Sequence, residues 1–78
     1  MTTALQSVMR SRVRDGREVI LISDEALARE VGIDRWAVWG YRTGRREMRA
    51  ARALAIWRGL KRLGVKVTLE ELLGRRAA

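Results

Sequence analysis

Apolar residues recur along the chain in blocks whose spacing changes, and each change predicts an element. Leu5, Val8, Met9 and Val13 lie at helical spacing within residues 4–13, which predicts a first helix. Arg14-Asp15-Gly16-Arg17 reads as a turn. Glu18-Val19-Ile20-Leu21-Ile22 is rich in β-branched residues and predicts a short strand. The other β-branched cluster, Val65-Lys66-Val67, is its expected partner, so a two-stranded β element is expected to join 19–22 with 65–67. Ser23 is a good N-cap for a helix through Val31, with Asp24 and Glu25 in its first turn and Gly32 as its left-handed stop. Asp34 is the next N-cap and Gly44 the next stop, which predicts a short helix over 35–43.

A longer helix from Met48 to Leu63 follows. It carries Met48, Ala51, Leu54, Trp57, Leu60 and Leu63, broadened by Ile56, with Arg49, Arg52, Arg58 and Arg62 on the other side. Trp57 is expected in the core. Thr68-Leu69-Glu70-Glu71 is a capping box opening a last helix to Leu73, and the tail 74–78 is expected to fray. The pattern predicts one mainly α domain over 1–78, with four to five helices and the short β element.

Composition narrows the chemistry. The 78 residues contain no His, Cys or Pro, so no zinc site, disulfide, or Ser–His or Cys–His pair is available. No Gly-rich phosphate loop is visible, and Asp24, Glu25, Glu70 and Glu71 sit at helix starts, where capping explains them. Neither catalysis nor a metal or cofactor is expected. The longest apolar run is Ala53 to Trp57, far below the roughly 20 residues that cross a bilayer. The first residues lack a basic stretch leading into an apolar one, so a cytoplasmic protein is expected.

The net charge is +8, and all of the 17 basic residues except Lys61 and Lys66 are Arg. With 47% hydrophobic residues the chain has a core to form, so it is no disordered basic tail. A basic folded domain suggests a polyanionic partner. A domain this small buries only about 60% of its unfolded surface, so dimerisation would add needed stability.

Asp24 to Gly44 joins a small residue at the helix crossing (Ala28), a turn glycine (Gly32), interior positions Leu27, Val31, Ile33, Val38 and Tyr41, and the ending Tyr41-Arg-Thr-Gly44. This motif core, 23–44, resembles the helix-turn-helix of the Cro/CI-type family of bacterial and phage regulators. Leu63-Gly64-Val65 and Thr68–Leu73 are similar to the family's closing segment, so the likeness covers Ser23 to Leu73. Two features depart from it: the strand-like insertion Gly16–Ile22 and the extra Lys66-Val67.

The resemblance implies a transcriptional regulator of the phage-repressor kind that binds double-stranded DNA as a homodimer, with half-sites about one helical turn apart. RNA polymerase or another regulator is a further expected partner, and no membrane is. The second helix would enter the major groove and present Arg35, Trp36, Trp39, Gly40 and Thr43 to base edges. Arg35 is the foremost reader of guanine, against a phosphate contact or an ion pair with Asp34. Trp39 and Trp36 have the alternative of folding back as core, and Gly40 that of being merely tolerated in a helix. Arg42, Arg45, Arg46, Arg49 and Arg52 are the expected phosphate contacts, helped by a helix N-terminus near Met48. Arg10, Arg12, Arg14 and Arg17 form a second basic group, either an arm or a solubilising face. Two other readings stay open: a docking adaptor of the antitoxin-like or polymerase-associated kind, with the Trp pair as anchors, and an RNA-binding antitermination factor.

Overall fold

The computed structural model describes residues 3–12 and 15–74. The chain runs α1 (Ala4–Met9), β1 (Arg10–Arg12), β2 (Glu18–Ile20), α2 (Asp24–Val31), α3 (Arg35–Thr43), α4 (Ala50–Arg62) and α5 (Leu69–Leu72). The fold is mainly helical, as the pattern predicts.

The N-terminal region differs from the sequence reading. Helix α1 stops at Met9 because Arg10 is already extended (φ −129°, ψ 146°) and enters an antiparallel hairpin with β2. The register is Arg10↔Ile20, Ser11↔Val19 and Arg12↔Glu18. Val13, which the helical spacing included, lies outside the described residues. The strand at 18–20 exists, but its partner is the local segment 10–12 and not 65–67. Val65 and Val67 instead pack their side chains against the core. Their backbone is used separately: Val65 N–H donates to Leu60 O at 2.9 Å, and Val67 O accepts from Trp57 Nε1 at 2.7 Å. Trp57 is accordingly half-buried, with its one polar atom satisfied.

The predicted caps form. Ser23 accepts from Ala26 N and Thr68 from Glu71 N, and Thr3, which the sequence reading did not single out, accepts from Gln6 N and caps α1. Helix α4 starts two residues later than its apolar stripe suggests, with Arg49 as an N-cap that makes no side-chain bond.

One core joins all five helices. Leu5 and Met9 come from α1, Leu27 and Ala28 from α2, Ala37, Val38 and Tyr41 from α3, Ile56 and Leu60 from α4, and Leu72 from α5. Each fully buried Leu, Ile or Met contributes about 1.5–3 kcal/mol. Close approach of α2 to α4 depends on Gly59, where an added Cβ would lie 2.7 Å from Val31 Cγ2. Val31 and Ile33 are only partly buried at the edge of this core, whereas Leu27, Val38 and Tyr41 lie inside it.

Candidate functional site

The site is built on α2, the turn 32–34 and α3. Gly32 takes φ +83°, a left-handed conformation that only glycine adopts without strain, and turns the chain between the helices. Its N–H and that of Ile33 both return to Ala28 O, at 2.8 and 3.0 Å. Asp34 then caps α3, its Oδ1 accepting from Trp36 N at 2.8 Å. That bond uses the Asp34 carboxylate locally, and no Asp34–Arg35 ion pair is present among the described residues.

Arg35, Trp36, Trp39 and Thr43 follow helical spacing, which sets them on one side of α3. Trp36 is 62% exposed. Trp39 is half-buried against Trp36, edge to face, with ring centroids 6.3 Å apart and planes at 79°. It is not among the side chains packed on the core. Guanidinium groups cover both rings: Arg35 lies 5.3 Å from the Trp36 centroid and Arg45 5.1 Å from that of Trp39. Thr43 is exposed and its hydroxyl donates to Trp39 O at 2.8 Å.

Gly40 is placed differently from the expected base-reading position. It is buried, and the stem of Arg46 crosses it so closely that a Cβ there would lie 2.6 Å from Arg46 Cδ. Arg46 N–H donates to Gly40 O at 3.1 Å, and its guanidinium lies 5.4 Å from the Tyr41 centroid. Glycine here seats Arg46; it does not offer backbone to an outside ligand.

Arg42 is likewise separated from the other expected phosphate contacts. Its Nε and one terminal nitrogen donate to the two oxygens of Asp24, both at 2.8 Å, and the other terminal nitrogen donates to Gln6 Oε1 at 2.8 Å. Its carbonyl accepts from the Thr3 hydroxyl. The hydrogen bond to Asp24 holds the guanidinium above its already high ordinary pKa, partial burial opposes this, and the charges of Asp24 and Glu18 add to it. Arg10 approaches the same carboxylate at 3.7 Å and donates to Ile22 O at 2.7 Å. Arg42 therefore ties α1, α2 and α3 together, and Arg10 fastens the hairpin to that tie. Sequence spacing gives no signal of this Gln6–Asp24–Arg42 cluster, since its members lie 18 residues apart or more.

The remaining basic residues are distributed unevenly. Asp15, Glu18, Asp24, Glu25 and Glu30 engage Arg17, Arg10, Arg42, Arg29 and Arg62. Among the described residues, Arg35, Arg45, Arg46, Arg49 and Arg52 have no carboxylate partner within ion-pair distance, and neither do Arg58, Lys61 and Lys66 further along the chain. Arg46, Arg49 and Arg52 line one open hollow with Tyr41, Glu47, Ala51 and Ala55. Arg49 caps α4 without a side-chain bond, so the first-turn N–H groups have no side-chain cap, and Ala51 and Arg52 of that turn line the hollow.

Arg12 and Arg14, from the second basic group, have side chains outside the described residues, while Arg10 and Arg17 are ion-paired. Among the described residues, no helix is long and apolar enough to cross a membrane. No family model, curated protein or solved structure matches this chain.

Proposed function

We propose that this chain is a sequence-specific double-stranded DNA-binding regulator of the Cro/CI helix-turn-helix type, acting as a homodimer in the cytoplasm. The observation that carries the reading is the segregation of charge. Among the described residues, five of the six arginines without a carboxylate partner surround the exposed side of α3 and the start of α4, and the sixth, Arg58, lies further along α4. In a docked complex, α3 enters the major groove with Arg35 and Trp36 leading, and Trp39 and Thr43 follow along the same side. Arg45, Arg49, Arg52 and the seated Arg46 meet phosphates, aided by the uncapped first turn of α4. Arg42 is structural in this reading and Gly40 acts through Arg46.

Two contacts specify bases. A guanidinium at Arg35 reads guanine O6 and N7, worth about 1–3 kcal/mol of discrimination. The Trp36 ring offers an apolar face to thymine methyls.

The test is a titration of wild type and Arg35→Ala against DNA from upstream of the chain's own gene and against a scrambled duplex. A preference of at least about a thousandfold, largely lost in Arg35→Ala, supports the regulator. Equal, weak, salt-sensitive binding to both duplexes overturns sequence-specific reading. The exposed Trp36 would then be better explained as the anchor of a protein-docking surface.

A further inference from the structure

Val19, Ile20 and Leu21 are three consecutive large apolar side chains, exposed by 38%, 61% and 59%, the first two on β2 and the third just beyond its end. The backbone beneath them is half used. Leu21 N–H donates to Met9 O at 2.9 Å in the register Arg10↔Ile20, which makes Arg10–Ile20 a non-hydrogen-bonded pair. By alternation, Val19 directs its N–H and C=O toward β1, while Glu18 and Ile20 direct theirs to the open side.

The two hairpin edges are not equivalent. The β1 segment, Arg-Ser-Arg, carries two positive charges and no carboxylate in sequence. The segment 17–22 along β2 carries one Arg and one Glu, hence no net charge in a chain of +8. It is the edge where two copies can meet without bringing excess positive charge together.

We propose that this edge pairs with the same edge of a second copy, making a four-stranded antiparallel sheet across a two-fold axis at Val19. The choice of register follows from the backbone. Centring on Glu18 would set two carboxylates directly opposite each other, which is unfavourable. Centring on Ile20 would call on Ile22 N–H, which already donates to Met9 O at 3.2 Å. Centring on Val19 uses only the free groups: Glu18 of each copy exchanges both bonds with Ile20 of the other. Val19 then faces Val19 across the axis, with the two Leu21 side chains on the same face. This pairing deepens the homodimer part of the proposed function, and its test contains no DNA, so the two can fail separately.

The experiment measures solution mass by sedimentation equilibrium for wild type and for Val19→Lys, which sets two like charges directly opposite each other across the axis, beside disulfide formation in Val19→Cys and Ser7→Cys. The chain has no other cysteine. Wild type should show twice the 8.9 kDa chain mass, and Val19→Lys should weaken association at least tenfold with an unchanged helical spectrum. Facing residues of a non-hydrogen-bonded pair lie about 4.5 Å apart at Cα, within disulfide reach. Under mild oxidation Val19→Cys should therefore cross-link at least tenfold faster than Ser7→Cys, an exposed site on α1. A monomeric wild type overturns the proposal, as does a dimer that persists in Val19→Lys or equal cross-linking of the two cysteine variants. Should Val19→Lys fail to fold, the comparison of cross-linking rates decides alone.

Discussion

Replacing Asp24 by Asn removes the anion that holds Arg42 and Arg10 together. The Asp24–Arg42 pair is bidentate at 2.8 Å, with only 13% of the Arg42 side chain and 21% of the Asp24 side chain exposed. Breaking a fully buried pair costs about 3–5 kcal/mol, whereas fully exposed pairs contribute about 0–1 kcal/mol. This pair lies between those limits, so Asp24→Asn should cost about 2 kcal/mol. In a domain of this length that corresponds to a fall in Tm of about 8–16 °C. Some of the loss is the interaction of Asp24 with the N-terminus of α2, about 0.3–1 kcal/mol.

A double-mutant cycle with Arg42→Gln separates the parts. Urea denaturation of the four proteins should give a coupling of about 1–2 kcal/mol. The pH dependence has a defined sign. A raised Arg42 pKa gives stability that is complete below the ordinary arginine value and fades only as pH climbs through the still higher folded value. The coupling should therefore be the same at pH 6 and pH 9. Additivity within about 0.3 kcal/mol, or a loss below about 0.5 kcal/mol for Asp24→Asn, would refute the view that this tie organises α1, α2 and α3.

Gly59→Ala gains about 1 kcal/mol of helix propensity but sets a Cβ 2.7 Å from Val31, a stiff β-branched side chain. Overpacking costs about 1–3 kcal/mol, so thermal melting should show net destabilisation, and a raised Tm would contradict the tight α2–α4 contact. Gly40→Ala meets the flexible stem of Arg46 at 2.6 Å and should displace it with stability changed by less than about 1 kcal/mol. Duplex DNA affinity should nevertheless fall several-fold, and unchanged affinity would show that Arg46 is not a contact. Thr68→Ala removes the acceptor for Glu71 N and should cost about 1 kcal/mol by denaturant melting, with Leu72 loosened from the core.

The α2–turn–α3 unit is legible in the sequence because its signals are local. Ser23, Gly32, Asp34 and Gly44 each act on backbone within four residues. The hairpin is not, because Arg10-Ser11-Arg12 lacks apolar alternation and lies within an apparent helical spacing. Val65-Lys66-Val67 alternates like a strand for another reason: its two valines pack on the core while Lys66 is exposed. The site reading has the same boundary. Helical spacing is enough to group Arg35, Trp36, Trp39 and Thr43, but not to distinguish Arg42 from Arg45. The carboxylate that claims Arg42 lies 18 residues away, where no spacing rule reaches.

The central claim is that the unpaired arginines beyond α3 bind duplex DNA, and the salt dependence of affinity tests it most directly. Duplex binding should be titrated across salt concentration for wild type, for Arg45→Ala/Arg49→Ala/Arg52→Ala, and for Arg58→Ala as a control outside the site. Each phosphate contact contributes about 0.9 to the slope of log affinity against log salt. The triple variant should therefore lower the slope by about 2.7 per bound protomer, with Arg58→Ala unchanged. A triple variant that binds with the wild-type slope would contradict the account.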